Sequence, residues 1–226
     1  MIQDGGFILN KNEFKQLLLE EGKQGEISPR YLKRSLERVY AALTKFRRVF
    51  AVRVDLRFAQ PRLNDSPDMP MFFQDTDSKA ITRFIESLKS QLREVHKRKG
   101  KRGEPSLFEY VWVREQKTSE HPHYHLVILF NKDEYFTLGD YNKHNADNLA
   151  TRITKAWCGA LKLDYPMFAK LVHFPYDGNF VFDTVSATTH SDRYRKFLLR
   201  LVYLCKLYTK DIGDGYRNFG CSQALR

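Results

Sequence analysis

The sequence predicts an α+β fold in which helices flank a central antiparallel sheet. The first reason is a hairpin in the middle of the chain, where LFEYVWVRE (107–115) and HYHLVILF (123–130) are strand-like segments on either side of a polar turn. The second is that the strands and helices are interspersed with hairpins, which indicates an α+β fold with an antiparallel sheet. Hydrophobic residues make up 42% of the 226 residues, enough for a sizeable core.

The segments before the hairpin predict three helices and one strand. Ser28-Pro29 provides an N-cap and a first-turn proline for the second helix. The alternating, β-branched segment VFAVRVDLRF (49–58) predicts the strand. Prolines 61, 67 and 70 indicate a loop between this strand and the third helix. The predicted helices cover about 11–21, 29–45 and 78–99. We therefore expect an N-terminal helical extension (1–27) before a main domain (28–226).

The segments after the hairpin predict two more helices and two short strands. The strands, at 169–173 and 179–184, are joined by the turn Asp177-Gly178-Asn179. The helices are expected over 145–162 and from Asp192 to about Lys210. A glycine-rich tail, for which no strand is predicted, completes the chain.

The charge of the chain points to a polyanionic partner. Its formal net charge is +11, which favours binding to nucleic acid or to an acidic membrane surface. Because no apolar run approaches the ~18 residues of a membrane span, and no signal peptide is recognisable, we expect a cytoplasmic protein and no membrane partner. A basic cluster (Lys97, Arg98, Lys99, Lys101 and Arg102) is predicted either to contact DNA phosphates or to be a solvated turn.

A candidate metal site lies in the predicted hairpin. His123 and His125 are two residues apart on a strand, so their side chains project from the same face. Glu115 precedes His123 by eight residues, and this even spacing places it opposite His123 in a simple antiparallel pairing. Two imidazoles and a carboxylate suit Mn²⁺ or Mg²⁺ and leave positions for water or a phosphate oxygen. His121 is interpreted as a supporting or incidental residue.

A candidate nucleophile lies on the last predicted helix, which carries three tyrosines. The apolar stripe of this helix consists of Phe197, Leu201 and Leu204. At 100° per residue Tyr208 falls in that stripe and Tyr194 near it, so both are predicted to be core residues. Tyr203 points the other way and shares its face with three lysines, Lys196, Lys206 and Lys210.

Tyr203 is therefore predicted to attack a DNA phosphate. A phenol with a pKa near 10 is a poor nucleophile unless its oxyanion is stabilised. Lys206, one helical turn away, is predicted to supply positive charge to the phenolate or the phosphate, and Lys210 is a further candidate contact to DNA. The products would be a 5′-phosphotyrosine and a free 3′-hydroxyl.

These motifs resemble those of the HUH endonucleases. His123-Tyr124-His125 before an apolar run, with Tyr203-Leu204-Cys205-Lys206 downstream, is similar to the pattern of single-tyrosine rolling-circle Rep proteins. The segment 114–129 resembles the corresponding stretch of plant single-stranded DNA virus initiators. Together VRVDL, PHYH and YLCK resemble the inovirus and prophage replication initiators.

The resemblance implies a replication initiator with a sheet of about five strands. VFAVRVDLRF would line the DNA site, which makes Arg53 a candidate DNA contact. The partners would be single-stranded DNA at an origin stem-loop and a host helicase, since the chain has no GxxxxGK[ST] loop; the location would be the cytoplasm of a bacterial host. Two alternatives stay open: the same chemistry in transposition or conjugative transfer, and a non-catalytic DNA-binding regulator with a structural metal.

Overall fold

The computed structural model describes residues 25–60, 73–116, 121–208, 210 and 213–223, together with Asn12, Gln16 and Leu19, which are helical. Most of the helix expected at 11–21, and most of the proline-marked loop, lie outside the described residues. The helices are α1 (Pro29–Lys45), α2 (Ala80–Arg98), α3 (Leu149–Ala160), α4 (Thr184–Thr188) and α5 (Asp192–Leu204), with a 3₁₀ turn at Ala169–Leu171. The strands are β1 (Arg48–Leu56), β2 (Glu109–Glu115), β3 (His123–Asn131), β4 (Val172–His173), β5 (Asn179–Asp183) and β6 (Phe219–Cys221).

The strands form one six-stranded sheet whose pairings are all antiparallel. Its order is β4-β1-β3-β2-β6, and β5 pairs with the same edge of β1 as β4. The long β3 lies at the centre and pairs with β1 along eight residues and with β2 along seven. The expected α+β fold with a central antiparallel sheet is therefore confirmed.

Helices cover both faces of the sheet and bury two apolar clusters. Helices α2 and α3 pack on one face, against side chains that include Val54, Leu126 and Trp112. Helices α1 and α5 pack on the other face, against side chains that include Ala51 and Val127. Alternate residues of each strand point to opposite faces of the sheet. Because helices cover both faces, β1 and β3 are apolar on both sides along most of their length.

Most elements begin and end close to where the sequence predicts. Ser28 caps α1 by accepting a hydrogen bond from the Tyr31 amide, and Pro29 is the first helical residue, as predicted. Trp112 and Tyr124 lie on the face of the hairpin opposite His123 and His125. Both are buried there, with ring centres 5.7 Å apart.

The last helix is shorter than predicted, and the prediction that Tyr208 is a core residue is wrong. Helix α5 ends at Leu204 rather than near Lys210 because the following residues pair with the segment before α1. Lys206 forms an isolated β-bridge with Ile27, and the Leu207 amide donates to the carbonyl of Glu26. Because the helix has ended before this position, Tyr208 is 52% exposed. Tyr194 is buried as expected.

The glycine-rich tail contains a strand that the sequence did not indicate. Strand β6 pairs Gly220 with Trp112 and Phe219 with Val113. A Cβ atom on Gly220 would lie 2.4 Å from the Trp112 ring, so only glycine allows this approach. The requirement arises from a contact between residues more than a hundred positions apart, which local sequence patterns do not report.

Among the residues that the structure describes, no helix combines the length and the apolar character that crossing a membrane requires.

Candidate active site

The site lies where one face of the sheet changes from apolar to ionisable side chains. On the face covered by α1 and α5, Val127 and Leu129 of β3 are buried in the apolar cluster, whereas the next residues on that face are His125 and His123. Strand β1 changes in the same way, from Ala51 to Arg53 and Asp55, and strand β2 changes from Val113 to Glu115. The pairing of the strands brings these polar ends together at the same end of three neighbouring strands.

Three predicted ligands meet at this end of the sheet. Glu115 lies directly opposite His123, and Val113 opposite His125, which is the register that the spacing predicted. Ligand atoms of Glu115, His123 and His125 all lie within 4.8 Å of one another. Oε2 of Glu115 is 3.3 Å from Nε2 of His125 and 3.8 Å from Nε2 of His123. Both imidazoles thus direct the same ring atom towards one carboxylate oxygen.

Asp55 holds the ring of His125, a contact that the sequence pattern does not predict. Its Oδ1 atom lies 2.6 Å from Nδ1 of His125, which leaves Nε2 directed at Glu115. A carboxylate on the second ring nitrogen is a common support for a metal-binding histidine. The available signal was a carboxylate within the apolar strand VRVDL, in which an unpaired charge would be costly. Oδ2 of Asp55 also lies 3.6 Å from Nδ1 of the exposed His173.

The protonation of Asp55 and His125 follows from this contact. Burial opposes ionisation of Asp55, but the hydrogen bond and charge of His125 and the charge of Arg53 outweigh it and lower the Asp55 pKa to about 2. Burial also opposes the charge on His125, yet hydrogen bonds to Asp55 and Glu115 raise its pKa. For His123, burial and the neighbouring His125 lower the pKa. Without a metal, His125 is therefore the imidazole of the pair that retains a proton to higher pH.

The other oxygen of Glu115 faces a buried lysine. Nζ of Lys210 is 3.6 Å from Oε1 of Glu115 and donates to the carbonyl groups of Leu204 and Lys206. Burial lowers the Lys210 pKa, although the charge of Glu115 opposes that shift. Lys210 was expected to contact DNA from the surface of a helix. Its side chain is instead fully buried beneath the cluster, where it orients Glu115.

Tyr203 lies next to this cluster, in contact with two cations. The guanidinium carbon of Arg53 is 5.5 Å from the centre of the Tyr203 ring, and Nζ of Lys206 is 3.9 Å from it. Arg53 also pairs with Asp55 at 3.3 Å and so connects the tyrosine to the support of His125. Lys206 reaches the ring from beyond the end of α5, and not from one turn along a continuous helix as predicted. The side chains of Arg53 and Lys206 are largely buried.

The Tyr203 hydroxyl is not activated in the metal-free protein. Burial and the negative charges of Glu115 and Asp55 raise its pKa, and Arg53 opposes them. The phenol therefore carries its proton at neutral pH, and a nucleophilic role requires loss of that proton during the reaction.

The basic cluster at 97–102 is not part of this site. Its residues are exposed at the end of α2, and α2 packs on the sheet face opposite the one that carries His123 and His125. Arg98 lies 3.9 Å from Asp147, a surface contact. The structure brings together the metal-ligand candidates, Tyr203, Lys206, Arg53 and Lys210, and separates them from this cluster.

The fold and site define an α+β protein with a Glu-His-His cluster at one end of the central strands of an antiparallel sheet. The chain belongs to the YagK/YfjJ C-terminal domain family, whose model matches residues 9–222. It is 40% identical over 183 residues to the uncharacterized protein YagK of Escherichia coli (strain K12), covering 79% of this chain and 85% of that protein. It is 37% identical over 177 residues to the uncharacterized protein YfjJ of the same strain, covering 76% and 83%. No solved structure matches the chain significantly.

Proposed function

We propose that this protein is a metal-dependent single-strand DNA nickase of the HUH type, with Tyr203 as its nucleophile. The observation that carries the proposal is the connection of Tyr203 to the cluster of Glu115, His123 and His125 through Arg53, which contacts both the tyrosine ring and Asp55. A structural metal site would not need a tyrosine and two cations beside it. The net charge of +11 supports a nucleic-acid substrate.

The donor set fits a divalent cation. Glu115, His123 and His125 converge within coordination reach, and Asp55 fixes the ring orientation that presents Nε2 of His125. Two imidazoles and a carboxylate suit Mn²⁺ or Mg²⁺ with positions left for oxygen ligands. When bound, such an ion supplies positive charge to the scissile phosphate and orients it for in-line attack.

The chain's own residues then account for strand cleavage. The Tyr203 oxygen forms a bond to phosphorus, the bond from phosphorus to O3′ breaks, and O3′ takes a proton to become a free hydroxyl. The phenol proton leaves to solvent as the bond forms. Arg53 and Lys206 stabilise the negative charge that develops near the Tyr203 ring, at distances that the folded chain already fixes. The 5′-phosphotyrosine conserves the bond energy for later rejoining.

The biological setting that we propose is initiation of rolling-circle replication at an origin stem-loop. The motifs VRVDL, PHYH and YLCK, which resemble those of inovirus and prophage initiators, support this choice. A host helicase would unwind the duplex. Transposition or conjugative transfer would use the same chemistry at a different DNA sequence.

The test is capture of a covalent adduct. The protein is incubated with pooled single-stranded oligonucleotides and Mn²⁺, and the DNA that becomes attached is sequenced. We expect an adduct that is lost with EDTA, with His123→Ala and with Tyr203→Phe, and that Tyr141→Phe retains because Tyr141 is an exposed tyrosine outside the cluster. DNA binding without any adduct would identify a DNA-binding regulator instead, and full activity after exhaustive chelation would overturn the metal assignment.

A further inference from the structure

A cleft leads along α5 towards Tyr203. It has a volume of about 830 Å³ and lies between α5 and the segment that forms β5 and the turn before it. Tyr203 lines the cleft, so the proposed nucleophile is continuous with it. A volume of this size is in the range of pockets that hold drug-sized ligands, so it exceeds what one phosphate group requires.

Three cations line the cleft from the side of α5. Arg193, Lys196 and Arg200 are all exposed and project from the same side of the helix as Tyr203. They recur about once per helical turn of 5.4 Å, a period comparable to the distance between successive phosphates of an extended strand. No residue that the structure describes forms an ion pair or hydrogen bond with the side chain of any of the three. Their charges are therefore available to a ligand.

The rest of the lining suits a nucleic-acid strand. The half-buried Leu199 contributes apolar surface on which a base can lie, and Phe180, which is largely buried in the core, also lines the cleft. Two carboxylates, Asp177 and Asp192, also line the cleft, which leaves the cations in excess. Asp192 is the first residue of α5, and no acidic residue follows it in the helix, so the three cations form an uninterrupted row up to Tyr203.

We propose that this cleft holds the stretch of single-stranded DNA that adjoins the scissile phosphate. Its phosphates would lie against Arg193, Lys196 and Arg200, and its bases would lie towards Leu199 and Phe180. The inference rests on the proposed function, because it takes Tyr203 as the point of cleavage. It adds that the substrate follows the face of α5, and not the exposed cluster at 97–102 on the other side of the sheet.

The test compares two variants that lose the same charge. The groove variant combines Arg193→Gln, Lys196→Gln and Arg200→Gln. The control combines Lys79→Gln, Arg93→Gln and Lys162→Gln, three exposed cations on or next to the helices of the opposite face. Both are made in a Tyr203→Phe background, so binding of a fluorescent oligonucleotide of about ten nucleotides is measured without covalent capture. Circular dichroism checks the fold of each.

We expect the groove variant to lose affinity on the order of tenfold and the salt slope of binding to fall by about 2, since three phosphate contacts are removed. The control variant should keep the affinity and the salt slope of the parent protein. If the two variants behave alike, the cleft is not the DNA path, whether or not the protein nicks DNA. If the parent protein does not bind single-stranded DNA at all, the proposed function fails together with this inference.

A second measurement does not depend on substitutions. Oligonucleotides that carry 5-iodouracil are crosslinked to the protein by light, and the attached tryptic peptides are identified. Crosslinks within peptide 197–200, or at positions 177–180 of peptide 171–193, would place bases in the cleft. Crosslinks confined to peptides from α2 and α3 would overturn the inference.

Discussion

The hydrogen bond between Asp55 and His125 decides which ring nitrogen of His125 can bind a metal. With Nδ1 held 2.6 Å from Oδ1 of Asp55, only Nε2 remains to face Glu115 and His123. Asp55 is itself paired with Arg53, which contacts Tyr203, so one carboxylate connects the candidate metal ligands to the candidate nucleophile.

Replacing Asp55 should weaken metal binding without removing a ligand. We expect Asp55→Asn to lower Mn²⁺ affinity by roughly 10- to 100-fold, the usual cost of disturbing the partner of a metal-binding histidine. Isothermal titration calorimetry measures the affinity. Asp133→Asn, which removes an exposed carboxylate paired with Arg48, is the matched control and should bind as the parent does. Equal affinities for all three proteins would show that Asp55 does not support the site.

Metal binding should also depend on pH through His125. Its Nε2 proton must leave before a metal binds, and the raised pKa keeps that proton to higher pH than in an ordinary imidazole. Affinity should therefore rise with pH until His125 is deprotonated and then level off, with proton release on binding below that point. Calorimetry in buffers of different ionisation enthalpy counts the protons. In Asp55→Asn the plateau should begin at lower pH, because one cause of the raised pKa is removed; an unchanged profile would contradict this.

The basic cluster at 97–102 should affect DNA binding but not the chemistry. Neutralising Lys97, Arg98, Lys99, Lys101 and Arg102 should weaken binding to long DNA and reduce its salt dependence, since fewer counterions are released. Because these residues lie on the opposite face of the sheet from His123 and His125, we expect the position and rate of nicking in a short oligonucleotide to stay the same. An unchanged salt slope on long DNA would identify the cluster as a solvated turn.

Lys206 should accelerate attack without being indispensable. Nζ of Lys206 lies over the Tyr203 ring and not on a developing oxyanion, so its loss should cost less than the 10²- to 10³-fold typical of an oxyanion-hole donor. We expect Lys206→Met, which keeps an unbranched side chain in a buried position, to slow adduct formation on the order of tenfold. Single-turnover kinetics with labelled DNA measure the rate. Complete loss of adduct in a folded variant would give Lys206 an essential catalytic role.

The metal-ligand candidates were predictable from the sequence because they depend on local periodicity. Same-face placement of His123 and His125 follows from a two-residue spacing, and Glu115 follows from the even length of one hairpin. Asp55 was not predictable in the same way, since its contact with His125 depends on the register between strands that are about seventy residues apart. The end of α5 likewise depends on the bridge from Lys206 to Ile27, which helical periodicity does not indicate.

The end of α5 also decides which tyrosine can act, because Tyr208 is exposed and not in the core. Tyr203 remains the expected nucleophile, since it contacts Arg53 and Lys206 next to the metal-ligand candidates. We predict that Tyr203→Phe eliminates the covalent adduct while the fold is kept, because only a hydroxyl is removed. Tyr208→Phe should retain it, and so should Tyr194→Phe, since the buried Tyr194 cannot reach DNA. Mass spectrometry of the nucleotide-bearing tryptic peptide checks the assignment. If the nucleotide were attached to Tyr208, the nucleophile would be Tyr208, which lies beyond the end of the helix, and the proposed class of enzyme would not change.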